Sequence, residues 1–182
     1  MSAALPGKTF RITRRGYART TREALSGNGG LYEAGRWHSK GRRILYTSQS
    51  ATLCLLERMV HADEWIAERH PDRVLLTLSI PDVSFLAFDE ADLSGRDPNW
   101  RLEGNGFCRR LGDLWLHRAS SCGLVVPSAA SPSDFNILFN PLHSEFATIL
   151  AANDPLTLAP VQPDERVVSL VQARRGAPKS SP

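Results

Sequence analysis

Residues 35–57 read GRWHSKGRRILYTSQSATLCLLE, and this stretch decides how the surrounding chain is organised. It begins with a basic and aromatic turn, continues through a short strand pattern at 44–47, and ends in the first turns of an apolar helix. Guanidinium groups bind phosphate, aromatic rings pack against bases, and a carboxylate stabilises a cationic centre. The stretch therefore carries the groups that a site for an anionic, aromatic ligand requires.

The composition predicts one globular domain. A chain of 182 residues with 42% hydrophobic content is long enough to bury a core without metal or disulfide staples. We expect a single domain over residues 1–173. Residues 174–182 contain no apolar residue larger than alanine apart from proline, so we expect a disordered tail there.

Charge and cysteine usage restrict the classes of protein. The three cysteines are odd in number and widely spaced, which is typical of buried thiols in a reducing compartment. No segment has the continuous apolar character of a signal peptide or a membrane span, so we expect a cytoplasmic protein without membrane contact. A net charge of +3, from 22 basic and 19 acidic residues, is too small to indicate direct nucleic-acid binding.

Periodicity along the chain predicts an α+β domain. Strands and helices mix without a regular βαβ rhythm, which favours one mixed or antiparallel sheet over a doubly wound parallel one. Residues 14–35 and 89–106 are expected to be loops, the second with one helical turn, and Gly123 is expected to stop the second helix. The predicted strands are 9–13, 44–47, 73–80, 83–88, 124–129, 136–141 and an edge strand at 167–171, and the predicted helices are 51–62 and 107–120.

Glu57 is the carboxylate of the organising stretch. On the predicted helix, which Ser48 or Ser50 caps, Leu53, Leu56 and Val60 form an apolar stripe. A helix glutamate is ordinarily solvated, but Glu57 lies at the margin of this stripe. Its position favours a partly buried carboxylate with a chemical task.

Other combinations of residues point to competing chemistries. Glu57 and His61 are four apart on one helix, but no second pair of ligands has metal spacing, so no metal site is predicted. Ser128 with His143 is reminiscent of a hydrolase, yet Pro-Ser-Ala is not the Gly-x-Ser-x-Gly turn that exposes a nucleophile, so Ser128 is expected to act as a hydrogen-bond donor. Tyr46 and Trp37 fit a core position and a stacking position equally well.

Several motifs, taken in order, resemble the RES-domain family, the toxin halves of RES and Xre type toxin-antitoxin pairs. The resemblance covers residues 9–171. It departs from the family at His38, where asparagine is frequent. The motifs are Phe10-Arg11-Ile12, Ala24-Leu25-Ser26-Gly27, Gly35-Arg36-Trp37, Leu45-Tyr46-Thr47-Ser48, Leu56-Glu57, Val126-Pro127-Ser128-Ala129 and Asn136-Ile137-Leu138-Phe139-Asn140-Pro141-Leu142-His143.

This resemblance implies a fold like that of ADP-ribosyltransferases and a toxin that inhibits growth by cleaving the nicotinamide glycosidic bond of NAD. The bond would be broken by hydrolysis, phosphorolysis or ADP-ribosyl transfer, with NAD as substrate and no cofactor. The partner would be an Xre-type antitoxin with a helix-turn-helix part, and DNA would be reached only through that antitoxin. By motif, the catalytic residues would be Glu57, Arg36, Tyr46 and Ser128, and the NAD-binding residues Arg11, Arg36, Trp37, Tyr46 and Asn136.

The residue chemistry agrees with this implied activity but leaves two alternatives open. Nicotinamide leaves as a neutral molecule from a cationic pyridinium, so one carboxylate can stabilise the oxocarbenium-like ribose without a general acid. The same arginines and Glu57 could instead serve a metal-independent ribonuclease, or a dinucleotide-binding module without catalysis. The residues alone do not select the acceptor among water, phosphate and a protein side chain.

Overall fold

The structure is a computed structural model, which describes residues 7–61, 72–102, 104 and 106–161. Among these residues, no helix has the length and apolar character needed to cross a bilayer. A 3₁₀ turn at Arg15–Tyr17 follows the first strand. The strands are β1 (Lys8–Arg14), β2 (Leu45–Ser48), β3 (Arg73–Ser79), β4 (Phe85–Ala87), β5 (Gly123–Pro127), β6 (Phe135–Phe139) and β7 (Thr157–Pro160), and the helices are α1 (Thr21–Ala24), α2 (Gly29–Tyr32), α3 (Ala51–His61), α4 (Glu90–Ser94), α5 (Gly106–Arg118) and α6 (Phe146–Ala152).

The strands form one mixed sheet of seven strands in the order β4-β5-β6-β2-β1-β3-β7. All neighbours are antiparallel except β4 and β5, which are parallel. The predicted α+β class with a single mixed sheet is therefore confirmed.

The sheet opens between its two central strands. β1 pairs with β3 along its full seven residues, but with β2 at only one position, Phe10 opposite Ser48. Because the two strands then separate, Arg11 on β1 and Tyr46 on β2 lie at the point of divergence. Side chains from both halves of the sheet approach one another here, as in the hydrogen bond from Arg11 to the Tyr46 carbonyl.

Alternation along the strands divides the core between the two faces of the sheet. Ile137 and Leu138 are neighbours on β6, yet each belongs to a different hydrophobic cluster. The first cluster packs α1 and α6 on one face, and the second packs α5 on the other, where α3 also covers β1 through Cys54 and Ile12. The second cluster contains Trp37, Ile44, Leu93, Trp100, Cys108, Trp115, Leu124, Val126 and Leu138.

Most predicted strands and both long helices are present, with shifted ends. The expected loop at 14–35 is wrong in part, because short helices form there, the first capped by Thr20, which accepts from the backbone of Glu23. The helical turn expected within 89–106 is present as α4, where Asp89 forms a capping box with Asp92. Helix α6 and strand β7 were not predicted. The expected edge strand at 167–171 and the expected tail at 174–182 lie outside the described residues.

The predicted role of Gly123 as a helix stop is wrong. Helix α5 ends at Arg118, and Ala119 takes the left-handed conformation with φ of 46° that terminates it. Gly123 instead opens β5, where a Cβ would lie 2.0 Å from the Phe85 ring. The glycine is therefore required by close packing in the sheet.

Candidate active site

Glu57 is the centre of the site. The Ser50 hydroxyl accepts from the backbone N–H of Leu53 at 3.1 Å, so α3 begins directly after β2 and presents Glu57 two turns later. One oxygen of its carboxylate, Oε1, accepts from Ser128 Oγ at 2.7 Å and from Asn136 Nδ2 at 2.6 Å. Three residues far apart in sequence thus meet at one carboxylate oxygen.

Ser128 is oriented as a donor to Glu57. Its side chain is fully buried, and its Oγ accepts from the backbone N–H groups of Ala130 and Ser131, each at 3.1 Å. A hydroxyl has one proton, and with both acceptor positions used that proton points to the carboxylate. His143 lies elsewhere and accepts from the backbone N–H of Glu145 at 3.2 Å, so the two residues do not form a hydrolase pair.

Asn136 is fixed by its strand neighbour. Ser48 on β2 lies opposite Asn136 on β6, and the Ser48 hydroxyl donates to Asn136 Oδ1 at 2.8 Å. With its carbonyl oxygen held in this way, the amide nitrogen faces Glu57. Sequence reasoning did not identify Ser48 as part of the site, because only the register of β2 against β6 brings it there.

Tyr46, on the same strand as Ser48, is held by a second network. His38 Nε2 lies 3.0 Å from the Glu33 carbonyl, which can only accept, so this nitrogen carries the proton. His38 Nδ1 then accepts from the Tyr46 hydroxyl at 2.8 Å, and that hydroxyl accepts from the Trp37 backbone at 3.1 Å. Both hydrogen-bonding capacities of the phenol are used within the protein.

Burial keeps both members of this network neutral. It lowers the pKa of His38 from its ordinary value and raises the pKa of Tyr46. Gly35 makes the arrangement sterically accessible, since a Cβ there would lie 2.7 Å from the His38 ring and 2.8 Å from the Tyr46 hydroxyl. His38, whose role the sequence left open, is a buried positioning residue for Tyr46.

The two arginines that were expected to bind phosphate differ in their contacts. Arg36 donates through Nη1 to the carbonyls of Trp100, at 3.0 Å, and Leu102, at 3.4 Å. Arg11 donates through Nη1 to the Tyr46 carbonyl at 2.9 Å, while its buried Nε has no hydrogen-bond partner in the described part of the chain. Arg36 therefore braces a loop, whereas Arg11 keeps donor capacity at the opening.

Trp37 does not have the position that ligand binding would require. Its side chain is 3% exposed and packs in the second core cluster with Trp100 and Trp115. Its backbone carbonyl lies where a Cβ on Gly112 would come within 1.9 Å, so helix α5 closes over it. The predicted role of Trp37 in stacking on a ligand is corrected to one in the core, because no ring face remains open.

Two further arginines near the site were not identified from the sequence. Arg101 donates to the Ser128 carbonyl at 2.8 Å, pairs with Glu90 and stacks on the Trp100 ring at 4.5 Å. Arg109 on α5 donates through Nε to the Gly35 carbonyl at 3.1 Å. Both belong to stretches without a recognisable motif, so only the tertiary contacts show that they support the site.

Two sets of side chains have the residue types of a metal site. The His61 side chain, half of the considered Glu57 pair, lies outside what the structure describes. Cys122, His143 and Glu145 bring possible ligand atoms within 4.8 Å of one another. However, Glu145 already accepts from the Ser84 backbone at 2.8 Å and hydroxyl at 2.5 Å, so hydrogen bonding accounts for this cluster.

The fold has a solved counterpart. The chain superposes on the M. tuberculosis MbcT–MbcA toxin-antitoxin complex structure with a TM-score of 0.62 and 18% identity, covering 91% of this chain and 88% of that one. At this identity the likeness concerns the fold. Together with a relative named for ADP-ribosylation, described next, it confirms the expected likeness to the ADP-ribosyltransferase fold.

The sequence relatives define the family. Toxin Res of Yersinia enterocolitica is 32% identical over 151 residues, covering 82% of this chain and 94% of the relative. Toxin Res of Pseudomonas putida is 38% identical over 122 residues, covering 66% and 80%. The Prs ADP-ribosylating toxin of Sphingobium sp. is 33% identical over 128 residues, covering 70% and 78%.

A family model described as the RES domain matches residues 8–161, which span the whole sheet from β1 to β7. The chain therefore belongs to the RES domain family and is a RES-domain toxin.

Proposed function

We propose that this toxin cleaves the glycosidic bond between nicotinamide and ribose in NAD, with Glu57 as the catalytic carboxylate. The observation that carries the proposal is the geometry at Oε1 of Glu57, where Ser128 and Asn136 both donate at 2.6–2.7 Å. Two fixed donors hold the carboxylate in one orientation before any substrate enters. A preorganised charge of this kind is worth most when positive charge develops in the transition state.

The chemistry of the bond suits a site of this type. As the bond to nicotinamide lengthens, the ribose becomes oxocarbenium-like, and the leaving group departs neutral with the bonding electron pair. A carboxylate beside the ribose stabilises that cation and its hydroxyls. Tyr46 contributes its ring rather than its hydroxyl, because the hydroxyl is already bonded to His38 and Trp37.

The acceptor of the ADP-ribosyl group is reached after this common step. The relative named as an ADP-ribosylating toxin supports transfer to a protein side chain as one outcome, beside transfer to water or phosphate. All three outcomes release nicotinamide. Nicotinamide release is therefore the measurement that tests the shared step.

We further propose that a cognate antitoxin restrains the protein in the cytoplasm, where NAD is consumed. The complex of the structural neighbour with its antitoxin supports such a partner, and the family resemblance implies an Xre-type protein with a helix-turn-helix part that contacts DNA. Expression of the chain alone should arrest growth and deplete NAD, and co-expression of the adjacent gene should restore both.

The direct test is incubation of purified protein with NAD and, separately, with total RNA. We expect nicotinamide release and intact RNA. The Glu57→Gln variant should release almost none, whereas the control Glu23→Gln, which removes a surface carboxylate paired with Arg19, should match wild type. RNA degradation with intact NAD would establish the ribonuclease alternative, and binding of NAD without turnover would establish a binding module.

A further inference from the structure

Arg58 directly follows Glu57, and the packing of α3 carries it over the end of β1. Cys54 on α3 packs on Ile12 of β1. Arg58 lies one helical turn after Cys54, and Arg14 lies two residues after Ile12, so the two arginines extend the same line of contact. Arg14 is in turn the strand partner of Arg73 on β3.

The arginines of this group lack the compensation that buried guanidinium groups ordinarily have. The Nε atoms of Arg11, Arg58 and Arg73 are buried, and none has a hydrogen-bond partner among the residues that the structure describes. Neither these three nor Arg14 forms an ion pair with another described residue. Buried donors without acceptors are costly and rare in native proteins.

The clustering of positive charge also favours a bound anion. Burial lowers the pKa of Arg58 and of Arg73, and in each case the neighbouring positive charge of Arg14 lowers it further. The carboxylate of Glu33 opposes this lowering of the pKa at Arg58, and that of Asp72 opposes it at Arg73. Like charges gathered in a partly buried place are unfavourable until an anion joins them.

Two other arginines of the site already donate hydrogen bonds to protein groups. Arg36 donates to two loop carbonyls, and Arg101 is paired with Glu90 and bonded to the Ser128 carbonyl. Arg11 also gives its Nη1 to the Tyr46 carbonyl, but the buried Nε atoms of Arg11 and Arg58 have no acceptor among the described residues. A group with several oxygen acceptors and a double negative charge, a phosphate, fits that requirement.

We propose that Arg58, together with Arg11 and the Arg14–Arg73 pair, forms an anion site beside Glu57 that holds the phosphate groups of the substrate. This inference deepens the proposed function and rests on it for the identity of the substrate. It assigns phosphate recognition to Arg58 and Arg11 in place of Arg36. Held there, a diphosphate would anchor the dinucleotide while its ribose reaches the adjacent carboxylate.

The kinetic test compares substrates that share the glycosidic bond and differ in phosphate: NAD, nicotinamide mononucleotide and nicotinamide riboside. Arg58→Gln should raise the KM for NAD by about ten- to a hundredfold, as loss of a charge-assisted hydrogen bond does. The kcat should change little, and nicotinamide riboside, which has no phosphate, should be cleaved equally by both proteins. The matched control is Arg22→Gln, an exposed arginine on α1 at the opposite face of the sheet.

A binding test is independent of turnover. Calorimetric titration of wild type and Arg58→Gln with ADP-ribose, pyrophosphate and inorganic phosphate shows whether the anion is held as a diphosphate or as a free phosphate. Binding lost in Arg58→Gln, with NAD left intact by wild type, would support the anion site and reject the proposed reaction. Turnover of NAD with an unchanged KM in Arg58→Gln would overturn the anion site and leave the reaction standing.

Melting temperature separates this role from a merely structural one. Because the positive charges of Arg11, Arg14 and Arg73 repel that of Arg58, Arg58→Gln should melt at the same temperature as wild type or higher. Pyrophosphate should raise the melting temperature of wild type and not that of the variant. A variant that melts lower and still gains from pyrophosphate would show that Arg58 holds the fold and not the anion.

Discussion

The two sides of the opening between β1 and β2 are prepared in opposite ways. On the side of β6, the Glu57 carboxylate receives two donors that are themselves fixed, one by backbone N–H groups and one by Ser48. On the side of β1, the buried Nε atoms of Arg11 and Arg58 have no acceptor within the described ranges. The first side is complete without substrate, and the second becomes complete only with an anion.

Binding and catalysis are therefore assigned to different groups of the site. A group that stabilises the transition state gains from being immobile, since no reorganisation is then needed during the reaction. A group that recognises the substrate gains from being unsatisfied, since the ligand then relieves an existing cost. Variants of Glu57, Ser128, Arg36 and His38 test these assignments.

The largest effect should come from the prepared carboxylate. Glu57→Gln keeps an oxygen that can accept from Ser128 and Asn136 but loses the charge, so kcat for nicotinamide release should fall by about a hundredfold or more. NAD binding should weaken far less, because the carboxylate acts mainly in the transition state. Near-normal turnover in this variant would remove Glu57 from the mechanism.

A smaller effect should follow from releasing one of the donors. Ser128→Ala removes a hydrogen bond to Glu57 and leaves the N–H groups of Ala130 and Ser131 without their acceptor. We expect kcat to fall by about tenfold, as for loss of roughly 1.4 kcal/mol of positioning. Ser26→Ala is the control, since that hydroxyl bonds only locally, to the Glu23 carbonyl and the Asn28 backbone. Equal kcat in the two variants would show that Ser128 does not position the carboxylate.

Arg36 distinguishes a structural arginine from a ligand-binding one. If Arg36 bound phosphate, as expected from the family motif, Arg36→Lys would raise the KM for NAD because lysine lacks the planar fork. Since the structure bonds Arg36 to the carbonyls of Trp100 and Leu102, we expect instead a loss of about 1 kcal/mol in stability and a melting temperature lower by about 3 °C. A raised KM for NAD at an unchanged melting temperature would show that Arg36 binds the phosphate groups.

The smallest effect should be the pH dependence from His38. Its folded pKa is lowered below the ordinary 6.5 by burial, so the unfolded state binds more protons as the pH falls through 6.5. The contribution of neutral His38 to stability is therefore complete above pH 6.5 and is lost progressively below it. The melting temperature of wild type should drop between pH 6.5 and 5, and that of His38→Asn should drop less. Parallel curves would exclude a buried neutral role.

Several parts of the site followed from the sequence alone. The period of the helix placed Glu57 at the margin of the buried face, and the Pro-Ser-Ala context indicated a hydroxyl that donates and does not attack. The residue types and their order also carried the family resemblance. These inferences succeeded because helical spacing, strand alternation and turn chemistry act over a few residues and are written in the local sequence.

Long-range packing determines which side chains meet and which donors remain without hydrogen-bond acceptors. Ser48 enters the site through strand register, Arg58 gains its role from the packing of α3 on β1, and Trp37 is withdrawn into the core by α5. The physical reason is that long-range pairing sets burial and hydrogen-bond satisfaction, and neither is a property of a single segment. The sequence thus determined the chemical groups and their local secondary structure. The fold determined that Glu57 is fixed by hydrogen bonds and that the Nε atoms of Arg11 and Arg58 have no acceptor among the described residues.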